Sequence, residues 1–304
     1  MRHQSRVAEW ICLVAVVLAA LPAAISSQAP PPQRGPATNA FGRPLVTPAR
    51  KLLFLTHAGY YKHTSLGPAE QAVTEMGKAG GFAVTTVEGY KQEADKLDFS
   101  FLTPAYLAQF DGIMMMTNGN LPFSDAQKQM LLDFIASGKG FIGTHCSWLT
   151  FYNYPTFGEM LGGYFLRSAT TSARRKIVVL KVEDQTHPAT RMLGPSWPVW
   201  DEFYVFGNPD VTGEDVDTLF KNKIPLAFSR QRHHVLLSID TDRTDLSDTM
   251  LKKGVDYPQS WSRTYGKGRS FYTSFGHRDD IWSVDPVFQS HLTGGIRWAL
   301  GLEN

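Results

Sequence analysis

Histidines and carboxylates gather in this chain where apolar runs end. His57 and His63 follow KLLFL in THAGYYKHTS, and His145, Cys146 and Ser147 follow GFIGT. His187 precedes Pro188 in DQTHPATRML, Asp201 and Glu202 open DEFYVF, and His277 and Asp279 close YTSFGHRDD. Imidazoles and carboxylates transfer protons near neutral pH, and the same groups hold ions such as Zn or Mn when a coordination position stays open. The spacing selects no particular ion, and no one motif is decisive. GFIGTHCSW is the most informative, because an apolar run breaks without a spacer into His, Cys and Ser. Ligands of open parallel sheets bind beyond the carboxyl ends of the strands, so a polar triplet there points to a pocket. Each residue also has a plainer reading. His187 beside proline is a turn residue, Asp201 or Glu202 caps or pairs at a strand edge, and Cys146 is a small buried hydrophobe. Strand-end position favours His145, with His63 and His277 behind it.

The elements that must position these groups alternate. Residues 51–56 and 82–87 read as buried strands around a helix over 68–78, whose Ala69, Ala72, Val73 and Met76 share one face and which Gly80-Gly81 stops. GIMMMT within 111–117 is too short and apolar for a surface helix and suits a central strand. Ser124 and Gln127 form a capping-box pattern ahead of a helix carrying Met130, Leu131, Phe134 and Ile135 on one face, ending near Gly138. The strand over 141–144 follows. The order predicts an α/β fold: a doubly wound, mainly parallel sheet with helices on both faces. The second half is richer in strand, with candidates at 176–183, 202–206, 234–239 and 270–275, and a final helix at 286–300. Residues 208–226 read as an insertion.

The first 27 residues read as an export signal: Arg2, His3 and Arg6 precede a short apolar core over 10–21 and small residues near Ala24. That core is nearer the ~7–15 residues of a signal than the ~20 of a membrane span, although an uncleaved anchor is the alternative. Residues 28–49, rich in Pro, Ala, Gln and Gly, read as an extended linker. Residues 50–304 suit one α/β domain, a class in which single domains routinely exceed ~150 residues. The expected location is periplasmic or secreted. Net charge is +2, without a basic stripe, so neither nucleic acid nor, after signal cleavage, a membrane is an expected partner. Of two cysteines, Cys12 lies in the signal, which leaves Cys146 alone and no internal disulfide.

With those residues in hand, the chain resembles the trehalose-utilisation (ThuA-like) family, whose fold is similar to that of class I glutamine amidotransferases. LTHAGYYKH, GKGFIGTHCSW through GEMLGGYF, THPATRML followed by DEFYVF, and WSRTYGKGRSFYTSFGHRDDIW through GGIRWALG carry the likeness over most of 51–302. By position, His63, His145, Asp201, Glu202, Tyr204, Arg269 and His277 match the family's recurring polar residues. The chain departs from the pattern at Leu149, near which the family commonly has an acid, and at Arg167-Ser168, where it often has His-Pro. The 206–229 stretch departs as well. Cys146 lies near the amidotransferase nucleophile, but the turn lacks the glycine two residues on and no downstream His-x-Glu pair follows. Glutamine hydrolysis is therefore not expected, and fold analogy alone transmits no function.

The resemblance implies carbohydrate metabolism on glycosides or disaccharides oxidised at C3 by a partner sugar dehydrogenase. A ketone at C3 acidifies the C2 proton, so a base can remove it and expel the glycosidic oxygen from C1; hydration completes a net cleavage. On this reading His145 is base or metal ligand, Glu202 or Asp201 its carboxylate partner, and His277 contacts sugar or metal. His63 and Tyr204 complete the pocket, and Arg269 or a divalent metal held by His145, His277 and Glu202 supports the enolate. No nucleotide cofactor is expected. Trp148, Tyr164 and Trp282 either stack on sugar or fill the core. Two other classes stay open: a non-catalytic sugar-binding or scaffold module, and a Cys146-dependent hydrolase or transferase.

Overall fold

The computed structural model describes residues 49–171, 175–206 and 228–304. The expected signal, nearly all of the linker and the expected insertion lie outside the described residues. Among the described residues, no helix is long and apolar enough to cross a membrane.

Eleven strands are present among these residues: β1 Arg50–Leu55, β2 Phe82–Thr86, β3 Gly112–Met115, β4 Gly140–Thr144, β5 Phe165–Thr170, β6 Val178–Val182, β7 Ser196–Val199, β8 Phe203–Phe206, β9 His234–Ile239, β10 Pro258–Tyr265 and β11 Gly268–Thr273. Nine form one sheet in the order β2-β1-β3-β4-β11-β10-β9-β6-β7, while β5 and β8 pair as a separate ribbon. The five strands from β2 to β11 are mutually parallel, and β10, β9, β6 and β7 continue the sheet antiparallel. The α/β class holds, with a mixed sheet whose parallel half is the doubly wound part.

That half winds in two directions from β1. Helix α1 (Leu66–Gly80) leads from β1 outward to β2, whereas α3 (Asp125–Ala136) leads from β3 to β4 on the other side. Right-handed crossovers in opposite directions put these helices on opposite faces. Parallel strands covered on both faces read as continuous apolar runs, and Leu52, Leu53, Phe54 and Leu55 are all fully buried. Each such side chain contributes roughly 1.5–3 kcal/mol by leaving water. Gly81 stops α1 in the left-handed conformation, its N–H donating to the Gly77 carbonyl. Ser124 and Gln127 cap α3 reciprocally, Gln127 N–H to Ser124 Oγ at 3.1 Å and Ser124 N–H to Gln127 Oε1 at 3.0 Å. The C-terminal helix α6 (Pro286–Ala299) packs on α1 and β11.

Apolar patterning does not reveal β10. Its Gln259, Ser260 and Ser262 are buried polar residues, and Gln259 and Ser260 bond to neighbouring segments of the chain rather than to solvent. A hydrophobic rhythm cannot mark a strand whose inner face is partly polar.

Candidate functional site

Four strand ends converge beyond the parallel half of the sheet. After β1, the chain runs through Gly59 to His63. Asn118, just past β3, fixes that run: its Oδ1 accepts from the N–H groups of Tyr60 (2.9 Å) and Tyr61 (3.0 Å), and its Nδ2 donates to the Tyr61 carbonyl (2.8 Å). After β4, His145 sits at φ 44, an uncommon left-handed conformation for a non-glycine residue, and opens a single 3-10 turn, His145–Leu149. Its carbonyl accepts from Tyr272 Oη at 2.8 Å. The sharp turn thus presents the histidine, and Cys146 falls behind it.

After β11, Gly276 turns at φ +127, and a Cβ there would come within 2.7 Å of Trp282 and 3.4 Å of the His145 Cβ. Glycine lets the next residue, His277, lie against His145. The fourth contribution comes from the ribbon, where Glu202 precedes β8 and Tyr204 lies within it, opposite Ser168.

The ligand-type atoms of His63, His145, Glu202 and His277 all lie within 4.8 Å of one another. His145 Nδ1 lies 2.9 Å from the Ser274 carbonyl, which only accepts, so Nδ1 carries the proton and Nε2 presents a lone pair. Around that lone pair stand Tyr204 Oη at 2.7 Å, His63 Nε2 at 3.2 Å, His277 Nδ1 at 3.3 Å and Glu202 Oε2 at 3.6 Å. Glu202 Oε1 accepts from Ser168 Oγ at 2.5 Å, and Oε2 lies 2.7 Å from His277 Nδ1.

Burial and the two neighbouring imidazoles hold His145 neutral, well below the ordinary histidine range. Burial, then the His277 charge, lowers His63 to about 4. Burial also opposes charge on His277, but the hydrogen bond and charge of Glu202 outweigh it and raise its pKa. The same contact outweighs burial at Glu202 and lowers its pKa, giving an imidazolium–carboxylate pair. Burial and the Glu202 charge raise Tyr204, so its phenol stays protonated and donates to His145.

A cavity of about 210 Å³ opens onto this cluster, lined by His63, Glu202, Tyr204 and His277 with Tyr60, Tyr61, Asn118, Leu149, Phe165 and Ser168. His145 is fully buried and does not line it. It anchors the others from beneath.

Other expected site residues lie elsewhere. Both Asp201 oxygens are committed to backbone: Oδ2 accepts from Gly276 N–H (2.8 Å), Oδ1 from Glu202 (2.9 Å) and Arg278 (3.2 Å). Asp201 therefore clamps the His277 loop to the start of β8, and burial pushes its pKa up to about 6 against those three bonds. Arg269 begins β11, at the end of the sheet away from the cluster, where it donates to the Trp298 and Glu303 carbonyls and stacks on Trp298. Trp148 is sandwiched with Tyr272 and Trp261, ring centroids 4.4 and 4.8 Å away, and is wholly buried. Trp282 packs beneath Gly276 and donates to its carbonyl at 3.1 Å. Both tryptophans are core, and so is Tyr164, whose hydroxyl donates to the Phe151 and Tyr154 carbonyls. His187 makes the plainer turn, accepting from Ala189 N–H at 3.1 Å. Burial raises the Cys146 thiol to about 12, so no thiolate forms near neutral pH.

Gln259 is a site residue that sequence reasoning missed. Its Nε2 donates to the Tyr204 carbonyl (3.0 Å) and its Oε1 accepts from Ser274 Oγ (2.7 Å), tying together the two residues that fix His145. A buried glutamine on an unrecognised strand leaves no sequence signal. Ser168 had one, since Arg167-Ser168 already departs from the family pattern.

An α/β protein with an imidazole–carboxylate centre at its parallel strand ends is the class these features define. The chain matches the family described as trehalose utilisation over residues 51–299, and it belongs to that ThuA family. It is similar in fold to a ThuA-like protein from Bacteroides uniformis, at 22% identity and TM-score 0.62, with 88% of this chain and 95% of that one covered. A ThuA-like protein from Parabacteroides merdae aligns at 18% identity and TM-score 0.58, over 84% and 91% of the two chains. No curated protein matches the sequence.

Proposed function

We propose that the protein is an exported enzyme that cleaves glycosides or disaccharides in their 3-keto forms, by proton abstraction at C2, elimination at C1 and hydration. The observation that carries this reading is the fixed lone pair of His145 Nε2, faced by two more imidazoles and a carboxylate beside a cavity of one sugar ring's order of size. Its volume is below the roughly 300–1,000 Å³ of drug-sized sites, so one ring enters and the remainder of a glycoside stays outside. Family membership supplies the carbohydrate context, and the N-terminal sequence supports export.

The donor set fits a divalent ion. Three imidazole nitrogens and a carboxylate converge, and the Ser274 carbonyl fixes the tautomer of the deepest ligand, as outer partners of metal-bound histidines do. His63, His145 and His277 would hold the ion, His277 giving up the proton it shares with Glu202 Oε2 and so freeing that oxygen, and the ion would supply Lewis-acid polarisation of the C3 carbonyl. Glu202 is the carboxylate lining the cavity. Ser168 orients it by occupying Oε1. Its Oε2 takes the C2 proton as electrons move toward the C3 oxygen. The C1–O bond then breaks, and the protonated carboxyl returns the proton to the departing glycosidic oxygen. Water adds across the resulting double bond to complete cleavage. Tyr204 keeps His145 in place by stacking on it, ring centroids 4.6 Å apart.

The test is turnover of paired glycosides and 3-keto glycosides by residues 28–304, with and without EDTA. Product from the keto forms alone, lost with EDTA, supports the reading. Equal product from unoxidised glycosides overturns the keto preference, and sugar binding without turnover returns the site to a binding module.

A further inference from the structure

Two of the acid–base groups lie deep in the cavity, His63 7% and Glu202 9% exposed. The outermost lining residues are Tyr60 and Tyr61, 45% and 55% exposed, followed by half-buried Phe165, while apolar Leu149 lines the cavity from within. Exposed aromatics grouped at a pocket mouth mark a contact surface rather than packing. These two are also held in place, since Asn118 bonds the backbone of both. A ligand stacking on them does not bear the cost of ordering that loop.

We infer that this mouth is a leaving-group subsite for a flat, apolar aglycone, so that the substrates are glycosides of aromatic alcohols rather than disaccharides. The inference rests on the glycoside-cleaving reading above. The cavity accepts a single ring against Glu202, which leaves the aglycone between the tyrosines. A second sugar there would need partners for most of its hydroxyls, and of the outer lining residues only the phenols of Tyr60 and Tyr61 could serve, since Phe165 offers none. An aromatic ring needs none and gains offset or edge-to-face contact with each tyrosine.

The experiment compares methyl, benzyl and glucosyl glucosides as 3-keto forms, in both anomers, on wild type, Tyr60→Ala and Tyr61→Ala. Benzyl and methyl alcohols are leaving groups of similar basicity, so a difference between them reports binding rather than chemistry. The expected result is a kcat/KM for benzyl at least tenfold above that for methyl, carried by KM. Each tyrosine variant should lower the benzyl value by roughly 2- to 10-fold relative to the methyl value. Equal values for benzyl and methyl in wild type, or a preference for the disaccharide, overturn the inference while the cleavage reading stands. If nothing is turned over, calorimetric binding of unoxidised benzyl glucoside decides separately. Binding that weakens in Tyr61→Ala supports the subsite, and equal binding of methyl and benzyl glucosides overturns it.

Discussion

Two fully buried histidines, His145 and His291, sit close to the same strand and do opposite things. His291, on α6, spends both nitrogens on the fold: Nδ1 donates to the Ala189 carbonyl at 2.7 Å and Nε2 meets Thr273 Oγ1 at 3.0 Å. His145 spends Nδ1 that way, but its Nε2, which accepts from Tyr204 Oη at 2.7 Å, also faces two further imidazoles and the Glu202 carboxylate. Burial lowers the pKa of both. Burial and a shifted pKa therefore do not separate a structural histidine from a functional one. What surrounds the second nitrogen does, because imidazoles and a carboxylate converging in a dry site call for a proton or a cation.

The comparison can be broken most forcefully at Glu202. Glu202→Gln keeps the Ser168 contact and removes the base, so turnover of a 3-keto glycoside should fall about 10²- to 10⁴-fold with folding intact. A steady-state assay beside a melting curve reads both, and unchanged turnover would remove Glu202 from the chemistry.

His291→Ala should do the reverse. Losing two buried hydrogen bonds and leaving a cavity should cost about 2–4 kcal/mol in urea unfolding, while bound metal per chain stays as in wild type. The same variant carries a pH signature. His291 is lowered to about 4 in the folded protein against an ordinary 6.5. Between those values the unfolded chain binds the extra proton, so stability is full above pH 6.5 and falls with acid toward pH 4. The contribution of this one group is roughly 3 kcal/mol. Unfolding curves at pH 7 and pH 4.5 should converge by about that amount in the variant relative to wild type.

Gly276→Ala should cost about 1–3 kcal/mol, since φ +127 suits only glycine and the added Cβ meets Trp282. Its informative readout is metal affinity, which should drop as His277 is displaced; unchanged affinity would detach that loop from the centre. The smallest effect is expected at Cys146. Cys146→Ala should cost about 1 kcal/mol and leave turnover within about twofold, and native protein at pH 8 should resist iodoacetamide that labels the unfolded chain.

The sequence made the parallel half readable because its strands are unbroken apolar runs ending in polar residues. His63, His145 and His277 follow from that rule, and all three meet. Asp201 and Glu202 could not be told apart, because adjacent residues entering a strand point to opposite sides: one to backbone N–H groups, the other into the cavity. Arg269 was placed by family position, yet a residue at the start of a parallel strand lies a strand's length from the crevice. Trp148 and Trp282 carried no sign of their depth. Ser168 and Gln259 depended on knowing which strands pair; β8 was readable within 202–206, but neither its partner β5 nor β10 shows an apolar rhythm that would reveal it.

Asn118 is followed by Gly119, the dipeptide in which a side-chain amide most readily cyclises onto the next backbone nitrogen and deamidates. Here both reacting groups are occupied. The amide is bonded to Tyr60 and Tyr61, and the Gly119 N–H donates to the Leu149 carbonyl at 2.6 Å. Ageing at this position is thus gated by opening of the loop. Once it occurs, a carboxylate replaces the Nδ2 donor and repels the Tyr61 carbonyl, freeing the segment that holds His63. The isoaspartate content of a stored sample would then record how long its site had stood open.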